Sequence, residues 1–99
     1  MQSFVSTERK VIAIEEAKGL SKRERESGRI VGLTNGCFDI LHCGHLSLLE
    51  RAREMCDLLI VGVNSDRSVR LLKGPDRPII PEDDRARLVA GLEWVGAVV

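Results

Sequence analysis

Residues 29–63 read RIVGLTNGCFDILHCGHLSLLERAREMCDLLIVGV, and the alternation inside this stretch decides the fold. Residues 29–34 (RIVGLT) are a short apolar run that predicts a buried strand, and the pattern breaks at Asn35-Gly36. Residues 45–56 (HLSLLERAREMC) switch to helical spacing. Leu46, Leu49, Ala52 and Met55 recur every three or four positions and so face one core. Residues 58–63 (LLIVGV) are continuously apolar, the signature of a strand covered on both faces in a parallel sheet. Strand, helix and strand at this spacing make a crossover unit, which is nearly always right-handed.

Upstream, residues 12–27 (IAIEEAKGLSKRERES) predict a helix with a strongly charged outer face. Gly19 weakens it, and Gly28 is placed to stop it as a left-handed C-terminal residue. Downstream, Asn64-Ser65-Asp66 breaks the second strand and a short helix follows over 66–72. Residues 73–81 (KGPDRPIIP) hold all three prolines and predict a loop. Pro81 suits a first helical turn, and Glu82, Asp83 and Asp84 complement the helix dipole there. That helix is expected to run to about Glu93, with Leu88, Val89 and Leu92 inward. Residues 95–99 (VGAVV) predict a third strand. The fold class is therefore α/β, a Rossmann-like open parallel sheet with helices on both faces. Residues 1–28 are the helical lead-in to a single domain whose core is 29–99. Because Val98-Val99 leaves an apolar run uncapped, the fold is expected to be truncated, with a continuation beyond it.

Composition narrows the function. A hydrophobic fraction of 43% with 30% charged residues argues against wholesale disorder. Lys+Arg and Asp+Glu are both 15, so no net charge favours a nucleic-acid coat. One Trp, two Phe and no Tyr rule out a stacking platform for single strands. No apolar run approaches the roughly 20 residues that span a bilayer, and Glu15-Glu16 cut the only apolar stretch near the start, so no secretory pattern exists. Neither nucleic acid nor membrane is an expected partner. Cys37, Cys43 and Cys56 are odd in number, which favours reduced thiols and a cytoplasmic location.

In open α/β sheets ligands bind beyond the carboxyl ends of the strands, near the point where strand order reverses. Residues 34–45 (TNGCFDILHCGH) lie at such an end. Gly36 permits a sharp turn and a close backbone approach, and Gly44 does the same where the next helix begins. The first amides of that helix lack internal partners and are expected to bind an anion. His42 and His45, three apart, can touch the same phosphate group, and a positive helix end should lower their pKa values. A neutral imidazole still donates one N–H and can move a proton. Cys37, His42, Cys43 and His45 also admit reading as a zinc cluster, but the spacing lacks the usual paired cysteines. Asp66 reads equally as a helix cap, and Arg85 as a surface partner of Glu82 or Asp84.

GCFDILHCGH resembles the G-x-F-D-x-x-H-x-G-H signature of the cytidylyltransferase-like nucleotidyltransferases. Beyond it, LIVGVNSDRSVRLLKGPDRPI and DRARLV resemble the adenylyltransferase domain of the ADP-heptose synthases, so that roughly residues 28–99 are covered. The resemblance implies transfer of a nucleotidyl group from ATP or CTP to a phosphate or phosphonate oxygen, with release of pyrophosphate. The acceptor would be a sugar phosphate of the heptose 1-phosphate type, or a small alcohol phosphate. It implies catalytic roles for His42, His45 and Lys73, and nucleotide contacts from Thr34, Asn35, Gly36, Cys37, Phe38, Asp39, Gly44 and Arg85. Asp66, Lys73 and Arg77 would serve the acceptor. Mg²⁺ would arrive with the triphosphate, with no metal held by the protein itself, and relatives commonly form homodimers. An exposed Val-rich third strand would give such a dimer an edge to cover. Gly96 departs from the pattern, where relatives usually have Asp, and the later Ser/Thr-rich triphosphate-binding element is not within these 99 residues. A non-catalytic nucleotide-binding or dimerisation fragment is the rival reading.

Overall fold

The computed structural model describes residues 6–99. A single turn, α1 (Thr7–Lys10), leads into α2 (Ile14–Glu26). Gly19 does not interrupt α2. Gly28, at φ 87°, stops it, with its N–H on the Arg25 carbonyl and the Arg29 N–H on the Glu24 carbonyl. Three strands follow, β1 (Val31–Gly36), β2 (Leu58–Val63) and β3 (Ala97–Val98). Between them run α3 (Cys43–Glu54), α4 (Asp66–Lys73) and α5 (Glu82–Ala90).

The sheet is parallel in the order β1-β2-β3. Val31 pairs with Leu58 and Gly36 with Val63, so the first two strands end in step. Ile60 and Val61 pair with Ala97 and Val98. Period-two alternation splits β2 between two faces. Leu59 and Val61 join Leu49 of α3, Val89 and Ala90 of α5, Val95, Val98 and Phe38 in the core. On the opposite face, Ile60 and Gly62 meet α2 across a groove also lined by Ile14, Ala17, Leu33 and Val99. Helices thus lie on both faces, as the continuous apolar run of β2 requires.

Several expectations shift. β1 runs from 31 to 36 rather than 29 to 34, because residues 29–30 belong to a connection. There the Ile30 N–H donates to the Asp57 carboxylate, and the Ile30 carbonyl accepts from Asp57 and Leu58. α3 begins at Cys43, two residues early, and Met55 lies beyond its end, exposed. Pro81 is the N-cap of α5 rather than its first residue, and the helix ends at Ala90 with Gly91 as C-cap, short of Glu93. Its inward face is Arg85, Ala86, Val89 and Ala90, while Leu88 is half exposed. β3 is not an exposed edge either. Val98 is fully buried, and Val11 of the lead-in forms a parallel bridge with it, the Ile12 N–H reaching its carbonyl at 2.8 Å. No reversal of strand order occurs among the described residues, yet the loops of interest still gather at the carboxyl ends of β1 and β2. Among those residues no helix is long and apolar enough to cross a membrane.

Candidate active site

The segment leaving β1 turns at Phe38, not at Gly36. Phe38 has φ 49°, a left-handed conformation that costs an L residue about 1–2 kcal/mol. The reward is burial. The ring is 4% exposed, packs in the core and meets the His45 imidazole edge-on at 5.3 Å. Gly36 is needed for space rather than for its dihedral, since a Cβ there would lie 3.0 Å from the Phe38 ring.

Asp39, next in line, is also buried. Its Oδ1 accepts from the Ile79 and Ile80 amides, both at 2.9 Å, and its Oδ2 from Ile79 and from the Arg77 guanidinium. Burial by itself pushes this carboxyl up. The two amides and Arg77 together outweigh it and hold the pKa at about 2. Asp39 therefore braces the loop and binds it to residues 77–80. Both of its oxygens are occupied, and no group of three or more His, Cys, Asp or Glu side chains among the described residues is arranged to hold a metal. Asp39 offers Mg²⁺ no vacant lone-pair pattern of the kind a carboxylate ligand provides.

The two histidines build the start of α3. His42 is the N-cap, and its Nδ1 accepts the Gly44 N–H at 3.0 Å, while the Nδ1 of His45 accepts the N–H of His42 at 3.2 Å. This is a capping box made of imidazoles. The first helical amides were expected to face an anion, but the Gly44 amide is taken up by His42, and those of His45 and Leu46 by the His42 carbonyl. Because both rings accept at Nδ1, their neutral forms carry the proton at Nε2. Each keeps one N–H donor there. The rings lie 4.0 Å apart between centroids, tilted by 32°, close enough to serve one anion. The His45 pKa is lowered by burial first, then by the charges of His42 and Lys73. Gly44 is dictated by this arrangement: a Cβ would stand 2.7 Å from Cε1 of His42.

A cavity of about 300 Å³ opens beside these groups, lined by Cys37, Phe38, Asp39, Ile40, His42, His45, Lys73 and Arg77. Lys73 ends α4 and Arg77 sits in the following loop, so the second crossover closes the site that the first one builds. Other expected residues lie elsewhere. Thr34 faces the α2 groove, and Asn35 is exposed on β1. Arg85, expected at the nucleotide, is wholly buried, its guanidinium occupied by three backbone carbonyls and Asp66. Asp66 answers Arg85 through Oδ1 at 2.7 Å and receives its own cap from Glu82, so neither residue lines the cavity and neither Glu82 nor Asp84 pairs with Arg85. What the sequence reading missed is Ile80, whose N–H and carbonyl both serve this framework. A residue that acts through its backbone leaves no signal in side-chain type.

Residues 33–99 match the family described as Cytidylyltransferase-like. The chain is 54% identical over 93 residues to the Bifunctional protein HldE of Nitratiruptor sp., a match covering 94% of this chain and 20% of that protein. It is 57% identical over 84 residues to the Bifunctional protein HldE of Granulibacter bethesdensis, covering 85% and 17%. The chain thus spans about a fifth of the length of these relatives. Among solved structures, the lipopolysaccharide core biosynthesis protein from Thermoplasma volcanium is similar at a TM-score of 0.65 and 32% identity, over 71% of this chain and 56% of that one. The matched region contains the paired histidines, the Phe38 turn and the closing Lys73–Arg77 segment, and the chain belongs to the cytidylyltransferase-like family.

Proposed function

We propose that the cavity at the carboxyl ends of β1 and β2 transfers a nucleotidyl group from a nucleoside triphosphate to a phosphate oxygen of a sugar phosphate. The observation that carries this reading is that His42, His45, Lys73 and Arg77 line one cavity, whose only carboxylate, Asp39, is already paired with Arg77. Such a surface is complementary to phosphate. An acceptor phosphate oxygen would attack the α-phosphorus, its new P–O bond forming as the bond to the bridging oxygen breaks and pyrophosphate leaves. His42 and His45 would donate to the oxygens on which charge grows, and Lys73 and Arg77 would draw the charge of the β- and γ-phosphates. Mg²⁺ would come coordinated to the triphosphate, which it neutralises. The resemblance of its motifs to the adenylyltransferase domain of the ADP-heptose synthases supports a heptose 1-phosphate acceptor with ATP as donor. CTP with a small alcohol phosphate or phosphonate is the alternative.

Three free cysteines favour a reducing, cytoplasmic setting. A homodimer is proposed as well, supported by exposed Ile40 on the histidine-bearing loop and Leu48 on α3. A monodisperse mass of 11.0 kDa in light scattering at high micromolar concentration would count against it. The rival reading is nucleotide binding without turnover. Calorimetric titration with ATP and CTP, beside a pyrophosphate-release assay with heptose 1-phosphate, separates the two. Release of pyrophosphate only when the sugar phosphate is present supports transfer, whereas binding without release supports the rival.

A further inference from the structure

Arg85 is the largest fully buried side chain of the described chain. A buried guanidinium is tolerated only when its donors are matched, and here the matching is spread over the carboxyl ends of β1 and β2, the start of α4 and the loop before α5. Nη1 donates to the Cys37 carbonyl at 2.7 Å and to the Asn64 carbonyl at 2.8 Å. These residues follow the last paired positions of β1 and β2, where the Asn64 N–H still reaches the Gly36 carbonyl. Arg85 thus carries the tie between the two strands one step past the ladder. Nε donates to the Ile80 carbonyl at 2.8 Å, and Nη2 to Asp66 at the start of α4 at 2.7 Å.

Ile80 is held from both ends. Its N–H lies on Asp39 and its carbonyl on Arg85. The loop carrying Arg77 is therefore fastened to the loop carrying Phe38 by one carboxylate and one guanidinium. Phe38, directly after the Cys37 carbonyl that Arg85 holds, keeps its left-handed backbone and packs on His45.

We propose that Arg85 is a positioning residue, whose guanidinium sets the two loops that bring His45 and Arg77 to the same cavity without itself touching a ligand. The inference rests on the reading of that cavity as a transferase site, but its main test needs no turnover. In the whole chain, the side-chain nitrogen resonances of His42 and His45 are followed by NMR through a pH titration. Arg85→Lys keeps the charge and loses the planar fork that reaches four acceptors. The expected result is a folded variant in which His45 titrates at least about 0.3 unit higher, because a loosened Phe38 leaves the ring less buried beside His42 and Lys73. In an active preparation, kcat should fall at least about tenfold with KM for the triphosphate within about threefold. A folded Arg85→Lys chain whose His45 titrates as in the parent overturns the proposal, as does a full kcat. Should Arg85→Lys fail to fold, Asp66→Asn retains volume and an acceptor oxygen while weakening one of the four bonds. A smaller rise in the same direction is then expected, and an unchanged titration overturns the idea. If the shift is seen but the parent chain releases no pyrophosphate, positioning stands and the transferase reading falls.

Discussion

His42 caps α3 and, in the function proposed, donates its Nε2–H to phosphate, and the two duties separate by substitution. His42→Asn keeps a good N-cap oxygen, so melting should stay close to that of the parent, whereas His42→Ala should lose about 1 kcal/mol. Both should lower turnover at least about 100-fold, equivalent to about 2.7 kcal/mol at the transition state. Near-normal pyrophosphate release in either variant would remove His42 from the chemistry. Asp39 sets a different test. Its pKa is lowered from 3.8 to about 2, so the folded state favours the charged form and the stabilisation is present above pH 3.8. It is lost as pH falls through about 2. The stability difference between the parent and Asp39→Asn, followed by denaturant titration, should therefore shrink across that interval and stay constant above it. For His45 the lowered pKa favours the neutral ring in the fold, so stability declines as pH drops below 6.5 toward the folded value. At this scale the histidines and Asp39 were legible, because a signature of fixed spacing names them. Arg85 was not. An arginine between acidic residues on a helix reads as solvated, and three of the four acceptors that bury it stand 19 or more residues away.

At the scale of elements, glycines at two junctions answer to different physics and should fail differently. Gly44→Ala places a Cβ 2.7 Å from the His42 ring, so the imidazole must leave its capping position. Turnover should fall as far as in His42→Ala, with a comparable loss of stability. Gly28→Ala meets nothing within 4 Å but must keep φ at +87°, so it should cost about 1 kcal/mol of stability while turnover is unchanged. A Gly44→Ala protein with full activity would disprove the steric account of that junction. The apolar run of β2 and the Gly28 stop were read correctly from pattern alone, since both depend on local chemistry. The start of β1 was misplaced because a tertiary partner sets it, and the end of α5 because its C-cap glycine was passed over. Asp57 captures Ile30 before β1 begins, and Gly91 ends α5 before Leu92 and Glu93. Leu88 misled for a related reason: helical periodicity admits more than one inward phase, and Arg85 with Val89 set the one adopted.

Over the whole molecule, charge balance and the sheet make separate demands. With a net charge of zero, the attraction for a triphosphate that the proposed function requires would be local to Lys73, Arg77 and the histidines rather than a property of the surface. The dissociation constant for ATP, measured by calorimetry, should rise on going from low to about 0.5 M salt as those contacts are screened, and a salt-independent constant would argue against phosphate as the main determinant. The α/β class and the two-faced sheet were legible from the order of apolar runs. The position of the lead-in was not, because nothing in residues 6–12 announces that they run beside β3. There Arg87 meets Thr7 and Glu8, the Lys10 ammonium reaches the Leu92 carbonyl, and the Ile12 N–H reaches Val98. Those partners stand about 80 residues downstream. On the ribosome this strap is translated long before its anchors, so it must wait, unattached, while β1, α3 and β2 assemble without it. Its docking closes contacts of the greatest sequence separation in the chain, a late step in which loop-closure entropy is set against a handful of surface bonds.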